Sequence, residues 1–112
     1  MKKICFDLDG VICVTKNGNY KTSKPKKEVI NLINKLYDKY YILIFTARYM
    51  GRSKESIRLA KKRGFKFTLR QLQKWNLKFH ELKFGKPSYD LIIDDKSLGF
   101  KKNWHKNLKK IN

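Results

Sequence analysis

The stretch Cys5-Phe6-Asp7-Leu8-Asp9-Gly10 decides the fold of this 112-residue chain. An apolar run over residues 4–6 predicts a buried strand, and the strand ends at two aspartates. Because residues i and i+2 of a strand face the same side, Asp7 and Asp9 are expected to converge on one ligand where the strand gives way to a loop. Gly10 permits a tight turn whose backbone N–H groups face an anion. The stretch therefore predicts a ligand-binding strand end.

A flap and a helix are predicted between this strand and the next one. Asn17-Gly18 separates two short β-prone runs, which predicts a β-hairpin flap over residues 11–23. Pro25 suits the first turn of a helix that is expected to run to about Lys39. The apolar residues of this helix recur at helical spacing and comprise Val29, Ile30, Leu32, Ile33, Leu36 and Tyr37.

A second strand is predicted over Tyr41–Phe45, which is continuously apolar, the pattern of a strand buried on both faces of a parallel sheet. This run ends in Thr46-Ala47-Arg48. A strand, a helix and a second parallel strand form a right-handed βαβ unit by default. Asp7 and Thr46 are therefore expected at the carboxyl ends of adjacent strands, where open α/β sheets bind ligands.

Two further helices and a docked C-terminal helix are predicted downstream. A weakly amphipathic helix is expected from about Ser53 to Arg63, with Gly64 as its C-terminal stop. Thr68-x-x-Gln71 has the pattern of a capping box and predicts the start of another helix. The Lys-rich tail carries apolar residues at helical spacing, namely Trp104, Leu108 and Ile111.

Two more strands complete the predicted sheet. Residues His80–Phe84 predict a third strand that delivers Lys86 to the carboxyl edge of the sheet. A fourth strand begins near Tyr89, is apolar over Leu91–Ile93 and ends in two carboxylates, Asp94 and Asp95.

Length and charge limit the possible functions. A chain of 112 residues forms one domain, 1–112, around a single core. The 28 Lys and Arg residues against 9 Asp and Glu give a net charge of +19, with a pI near 10.1. Such a surface attracts nucleic acid, anionic membranes or phosphorylated metabolites, and composition does not choose among them. A solvated surface without a charged partner explains the same excess equally well.

The start of the chain and its cysteines predict a cytoplasmic protein. Lys2 and Lys3 lead directly into the first strand without an apolar signal core, and no run reaches membrane-spanning length. Cys5 and Cys13 lack the spacing of a zinc or redox motif. Both are therefore expected to be reduced thiols. No membrane partner is expected.

Four strand ends together carry polar groups in one order: Asp7-x-Asp9-Gly10, Thr46, Lys86 and Asp94-Asp95. Hydrolysis of a phosphate monoester needs a nucleophile, a proton donor for the leaving alkoxide and positive charge around the phosphoryl group. A cation must also lie between a carboxylate nucleophile and the phosphate dianion. Asp7, Asp9 and Asp94 supply hard oxygen ligands of the kind that Mg²⁺ prefers. The four strand ends thus predict a magnesium-dependent phosphohydrolase.

The same stretches resemble the signature motifs of the haloacid dehalogenase (HAD) superfamily, which match Phe6-Asp7-Leu8-Asp9-Gly10, Phe45-Thr46-Ala47-Arg48, Gly85-Lys86-Pro87 and Ile93-Asp94-Asp95. More closely, the chain is similar to the small capless capsule-biosynthesis phosphatases over nearly its whole length. The resemblance implies a three-layer, Rossmann-like α/β core with a mainly parallel sheet of strand order 3-2-1-4, a β-hairpin flap after strand 1 and no cap domain. Neither interval open to insertion is long enough for a separate cap, so an open site is expected.

The resemblance also implies roles for the acidic residues. Asp7 is expected to be the nucleophile that forms an aspartyl-phosphate, and Asp9 the general acid and later the base for water. Mg²⁺ is expected to bind the side chains of Asp7 and Asp94 and the backbone carbonyl of Asp9. Asp95 is expected to bind the metal through water.

The remaining motif residues are implied to bind the phosphoryl group. Thr46 is expected to hydrogen-bond the phosphoryl oxygens together with the backbone N–H groups of Leu8 and Ala47, while Lys86 neutralises charge on Asp7 and on the phosphoryl group. The full set of expected phosphate-binding residues is Leu8, Gly10, Thr46, Ala47, Arg48 and Lys86. Arg48 and Arg52 are candidates to clamp the leaving group of the substrate, and Lys16, Tyr20 and Arg70 are candidates to line the entrance of the site.

Three functions remain open from the sequence. The first is a Mg²⁺-dependent phosphomonoesterase that acts on a small phosphorylated metabolite of capsular polysaccharide precursor synthesis, as the resemblance implies. The second is a polynucleotide-end phosphatase, which the basic surface suggests but no interleaving of aromatic and basic residues supports. The third is a non-catalytic phosphate-sensing or nucleic-acid-binding module. A second subunit serving as a lid is compatible with the open site, and the sequence does not decide the oligomeric state.

Overall fold

The computed structural model describes residues 1–100 and 104–108. In this part of the chain the strands are β1 (Lys3–Asp7), β2 (Cys13–Val14), β3 (Lys24–Pro25), β4 (Tyr41–Thr46) and β5 (Glu81–Phe84). The helices are α1 (Lys27–Leu36) and α2 (Ile57–Lys74). Short 3₁₀ turns lie at Tyr20–Thr22, Gly51–Ser53 and Trp104–Asn107.

The principal sheet is parallel and has the order β1-β4-β5. Asp7 is paired with Phe45 at the end of β1, and Thr46 is paired with Phe84 at the end of β4. These pairings confirm the strands predicted at 4–6, 41–45 and 80–84. They also confirm that Asp7 and Thr46 lie at the carboxyl ends of adjacent strands.

One face of the sheet forms the core, and it carries Phe6, Ile42, Ile44, Leu82 and Phe84. These side chains share a cluster with α1 and α2, whose buried members are Val29, Ile30, Ile33, Ala60 and Leu72. Right-handed crossovers that advance in one direction place successive helices on the same face of a sheet. Each buried aliphatic side chain contributes about 1.5–3 kcal/mol to folding.

The opposite face of the sheet is only partly covered. Cys5 is exposed, and Leu43 and Phe45 are half-buried. The prediction that Tyr41–Phe45 is buried on both faces is therefore wrong, because buried and half-buried residues alternate along β4. Over residues 1–100 and 104–108, no helix supplies the third layer that the family resemblance implied.

The flap differs in detail from the predicted hairpin. β2 and β3 pair antiparallel, with Cys13 opposite Pro25, so the paired residues lie farther apart along the chain than predicted. Tyr20–Thr22 forms a 3₁₀ turn instead of a strand. Pro25 belongs to β3, and α1 begins at Lys27 and ends at Leu36 instead of near Lys39.

The two helices predicted around Gly64 are a single helix, α2, which corrects the sequence interpretation. Gly64 lies inside α2 and faces the ring of Tyr49, where a Cβ atom would lie only 2.2 Å from Tyr49 Cε2. Glycine is therefore required here by close packing, and it does not end the helix. The N-cap is Ser56, whose hydroxyl accepts the backbone N–H of Leu59 at 3.3 Å. Thr68 is buried within the helix and caps nothing.

The predicted fourth strand is absent from the described conformation. Residues 89–95 pair with no strand, and Leu91 and Ile93 are 78% and 90% exposed. A local turn competes with the extended form, because Asp94 accepts the backbone N–H of Lys96 at 2.8 Å and its carbonyl accepts the Ser97 hydroxyl at 3.0 Å.

The C-terminal segment docks on the core through Trp104. Its ring is buried and lies 6.3 Å from the ring of Phe6. Trp104–Asn107 forms a 3₁₀ turn in place of the predicted helix, Leu108 packs against the core, and Ile111 lies outside the described residues. Within the described ranges, no helix has the length and apolarity needed to span a membrane.

Candidate functional site

Asp7 and Lys86 meet at the carboxyl edge of the sheet. Lys86 Nζ lies 3.3 Å from Asp7 Oδ2. The backbone N–H of Lys86 donates to the Thr46 carbonyl at 3.1 Å, which extends the β4–β5 pairing and fixes the position of Lys86. Gly85 turns the chain there with a φ of +104°, a conformation that glycine adopts without strain. Three of the four predicted strand ends are thus brought together.

The environment of this pair shifts both pKa values. Burial raises the pKa of Asp7, and the Lys86 charge and the Leu8 N–H, which donates to Asp7 Oδ1 at 2.8 Å, only partly oppose it. For Lys86, burial lowers the pKa, but interaction with Tyr89 and the charge of Asp7 outweigh burial and leave it raised. Lys86 Nζ lies 4.9 Å from the centre of the Tyr89 ring. The ammonium group therefore stays protonated beside a carboxylate that burial makes costly to ionise.

Thr46 and Leu8, which were predicted to bind phosphate, already make internal contacts. Thr46 is fully buried at the end of β4, and its hydroxyl oxygen accepts the backbone N–H of Arg48 at 3.1 Å. The Leu8 N–H is engaged by Asp7. Gly10 donates its N–H to the Cys13 carbonyl at 2.8 Å. Ala47 is half-buried next to them.

Asp9 is bound by a buried arginine. Arg48 Nε donates to Asp9 Oδ2 and Arg48 Nη2 donates to Asp9 Oδ1, both at 2.9 Å. The Thr15 hydroxyl donates to Oδ1 at 2.5 Å, and Cys13 Sγ lies 3.4 Å from the same oxygen. Burial raises the pKa of the Cys13 thiol to about 11, with the Asp9 charge acting in the same direction, so this thiol is neutral at physiological pH.

Arg48, which was predicted to bind the phosphate of the substrate, is only 1% exposed. Arg48 Nη1 donates to Gln71 at 2.7 Å and to Thr68 at 3.4 Å, and the ring of Tyr20 lies 4.6 Å from the guanidinium carbon. A buried charge is tolerated only when it is paired and hydrogen-bonded. The arginine therefore joins the flap, the loop after β4 and α2 around Asp9.

The partners of Arg48 were not predicted from the sequence, although one signal pointed to them. Thr68 and Gln71 are three residues apart and lie on the inner face of α2, but the same pair was interpreted as a capping box. Polar side chains on the face of a helix that also buries Leu72 indicate a buried charge nearby.

Tyr20, which was predicted to line the entrance, stacks with Tyr49 and with Arg52. The rings of Tyr20 and Tyr49 lie 4.9 Å apart, and the Arg52 guanidinium lies 4.8 Å from the Tyr20 ring and 5.3 Å from the Tyr49 ring. Arg52 also donates to the Gly18 carbonyl of the flap. This stack ties the flap to the loop that follows β4.

The aspartates of the fourth motif do not join the others in the described conformation. Asp94 and Asp95 are exposed, and Asp94 is engaged in its own turn. Among residues 1–100 and 104–108, no three acidic, His or Cys side chains cluster closely enough to hold a metal ion. Asp7 and the backbone carbonyl of Asp9 have the hard oxygen chemistry that suits Mg²⁺.

Comparison with known proteins supports the fold. No protein-family model matches the chain, and no curated protein matches it either. The crystal structure of a target protein from Vibrio cholerae aligns with a TM-score of 0.81, covers 96% of this chain and 96% of that chain, and is 23% identical in sequence. At this level of identity, the similarity extends to the fold alone. The chain is accordingly an α/β protein with a Rossmann-like parallel sheet.

Proposed function

We propose that this protein is a Mg²⁺-dependent phosphomonoesterase in which Asp7 is the nucleophile. The observation that carries the proposal is the pairing of the Lys86 ammonium with the Asp7 carboxylate, 3.3 Å apart at the carboxyl edge of a parallel sheet. A second carboxylate, that of Asp9, lies two residues further along the chain and accepts a hydrogen bond from Arg48. A nucleophile, a cation and a group able to carry a proton are the parts that phosphate ester hydrolysis requires.

The proposed reaction has two steps. A carboxylate oxygen of Asp7 attacks phosphorus, the bond to the ester oxygen breaks, and Asp9 gives its proton to the leaving alkoxide. Asp9 then takes a proton from water, which attacks the aspartyl-phosphate and releases inorganic phosphate with Asp7 regenerated. Lys86 stabilises the charge that develops on the phosphoryl oxygens, and such donors act most strongly where water is excluded.

The magnesium site is part of the proposal. Asp7 and the backbone carbonyl of Asp9 would hold the ion, which neutralises charge between the nucleophile and the phosphate when it is bound. Asp94 would be the third protein ligand, and Asp95 would bind through water. This needs residues 89–95 to leave their exposed turn and extend along the unpaired edge of β1, which gives the strand order 3-2-1-4 of the HAD core. The exposed apolar residues at 91–93 supply the driving force for that pairing.

The substrate is proposed to be a small phosphorylated metabolite of surface polysaccharide precursor synthesis, in line with the resemblance to capless capsule-biosynthesis phosphatases. A second candidate, a polynucleotide-end phosphatase, is favoured by the net charge of +19. A screen of sugar, polyol, amino-alcohol and nucleotide monophosphates, together with end-phosphorylated oligonucleotides, separates the two. Preference for oligonucleotide ends with steep salt dependence would select the second candidate.

The nucleophile is tested with a matched pair of variants. Asp7→Asn should abolish phosphate release and remain folded, whereas Asp38→Asn, the same change at an exposed position in the loop after α1, should retain wild-type rates. Turnover should also stop when EDTA removes divalent ions. Wild-type rates in Asp7→Asn, or no release from any phosphate ester by the wild-type protein with Mg²⁺, would end the proposal.

A further inference from the structure

The guanidinium of Arg48 has an acceptor for every N–H group. Its Nε–H and one Nη2–H bind Asp9, and the two Nη1–H groups bind Thr68 and Gln71. The remaining Nη2–H has the Ser23 hydroxyl at 3.4 Å. An arginine offers five N–H donors and no acceptor, so none is left for a substrate. Arg48 is therefore directed at Asp9.

The two oxygens of Asp9 are held unequally. Oδ1 receives Arg48 Nη2 and the Thr15 hydroxyl, whereas Oδ2 receives Arg48 Nε alone. Because Thr15 gives its only hydroxyl proton to Asp9, the 2.6 Å contact with Ser23 requires the Ser23 hydroxyl to donate to Thr15. Ser23, Thr15 and Arg48 thus form a closed ring on Oδ1. Each carboxylate oxygen has two lone-pair sites, which leaves an open site on Oδ2.

We infer that Arg48 is the positioning residue of Asp9. Its hydrogen bonds, together with those of Thr15 and Ser23, leave Oδ2 as the oxygen that gives and takes the proton. The inference rests on the proposed phosphatase function and deepens it. The bidentate pair fixes the plane of the carboxylate. Through Gln71, which also donates to the Tyr20 carbonyl at 2.8 Å, the orientation of Asp9 is linked to both the flap and α2.

Leaving-group chemistry provides the test. In the phosphorylation step an alkyl ester needs a proton as its oxygen departs, whereas 4-nitrophenolate leaves as an anion. A misplaced Asp9 should therefore slow an alkyl phosphate selectively. The quantity to measure is kcat/KM for each substrate, since it reports the first irreversible step and excludes the later role of Asp9 toward water.

Gln71→Glu offers Arg48 a competing carboxylate, and Gln73→Glu is the matched control, which adds the same charge at an exposed position of α2. Arg48→Lys retains the charge but loses the bidentate geometry. Gln71→Glu and Arg48→Lys should each lower the alkyl-to-aryl ratio of kcat/KM by about tenfold, within the 10²–10⁴ that general acids contribute. Gln73→Glu should leave the ratio unchanged. Inhibition by inorganic phosphate should change by no more than about twofold in all three.

Three results would count against these assignments in different ways. Equal losses for both substrates with about tenfold weaker inhibition by phosphate would make Arg48 a phosphate ligand and overturn the inference. An unchanged ratio in Gln71→Glu would overturn it as well, and that variant provides the test if Arg48→Lys does not fold. A wild-type protein that hydrolyses neither ester defeats the proposed function itself, before any variant of Arg48 or Gln71 is made.

Discussion

Gly64→Ala is expected to destabilise this protein, although alanine normally stabilises the interior of a helix relative to glycine. Alanine in the interior of a helix is normally more stable than glycine by about 0.8–1 kcal/mol. Here a Cβ atom would lie 2.2 Å from Cε2 and 2.3 Å from Cδ2 of Tyr49, below any normal contact. The ring would have to move, and with it the contacts that Tyr49 makes with Tyr20 and Arg52.

Overpacking of a tight contact costs about 1–3 kcal/mol, and the upper end applies because two ring atoms clash. Subtracting the propensity gain leaves a net loss of about 2 kcal/mol for Gly64→Ala. For a domain of this size each kcal/mol corresponds to about 4–8 °C in Tm. Tyr49→Ala removes the ring, so adding Gly64→Ala to that variant should raise stability by about 1 kcal/mol.

The assay is urea unfolding of the four proteins of this cycle, followed by far-UV circular dichroism. The predicted result is a change of sign, with Gly64→Ala destabilising the wild type and stabilising Tyr49→Ala. Stabilisation of similar size in both backgrounds would refute the packing of Tyr49 on α2. It would then also remove the physical reason for a glycine in the middle of that helix.

Further predictions concern the charged pair and the C-terminal segment. Lys86→Gln should lower kcat/KM about 10²–10³-fold, as loss of one charge-stabilising donor does, while the same change at Lys83, an exposed residue of β5, should not. Asp7→Asn should raise the Tm of the metal-free protein at neutral pH, because burial raises the pKa of Asp7. The wild-type protein therefore loses stability as the pH rises through that raised pKa and Asp7 ionises, whereas asparagine carries no charge. This advantage should shrink as the pH of the melts approaches 3.8, the ordinary pKa of an aspartate, where wild-type Asp7 is also protonated. An advantage that stays constant with pH would contradict the assignment. Trp104→Ala should cost about 3 kcal/mol in urea unfolding, and a change near zero would mean that the segment does not dock on Phe6.

Local sequence patterns were sufficient for the parts of the fold that local physics determines. Apolar runs correctly predicted β1 and β4, and the strand predicted over residues 80–84 is present as β5. The positions of Asp7 and Thr46 at adjacent strand ends followed from the βαβ rule alone. Lys86 was brought to Asp7 by the same order of strands.

The errors arose where a residue's partner is distant in sequence. Gly64 has the pattern of a helix stop until the ring of Tyr49 is seen against it, and Thr68 with Gln71 has the pattern of a cap until Arg48 is seen between them. Arg48 follows the phosphate-binding motif and was predicted to bind substrate, but a tertiary network takes all of its donors. The residues at 91–93 are β-prone, yet a strand needs a paired neighbour, and the turn at Asp94 competes with that pairing.

The proposed mechanism requires Asp7 to become phosphorylated during turnover. Its most direct test is to mix the protein with Mg²⁺ and 4-nitrophenyl phosphate, quench with acid within the first turnover, and map phosphorylated peptides by mass spectrometry. The expected result is an acid-stable, base-labile phosphoryl group on the peptide that contains Asp7, and none on Asp7→Asn. Phosphate release by the wild-type protein with phosphorylation at another residue, or an equal yield of phosphorylated peptide from Asp7→Asn, would contradict it.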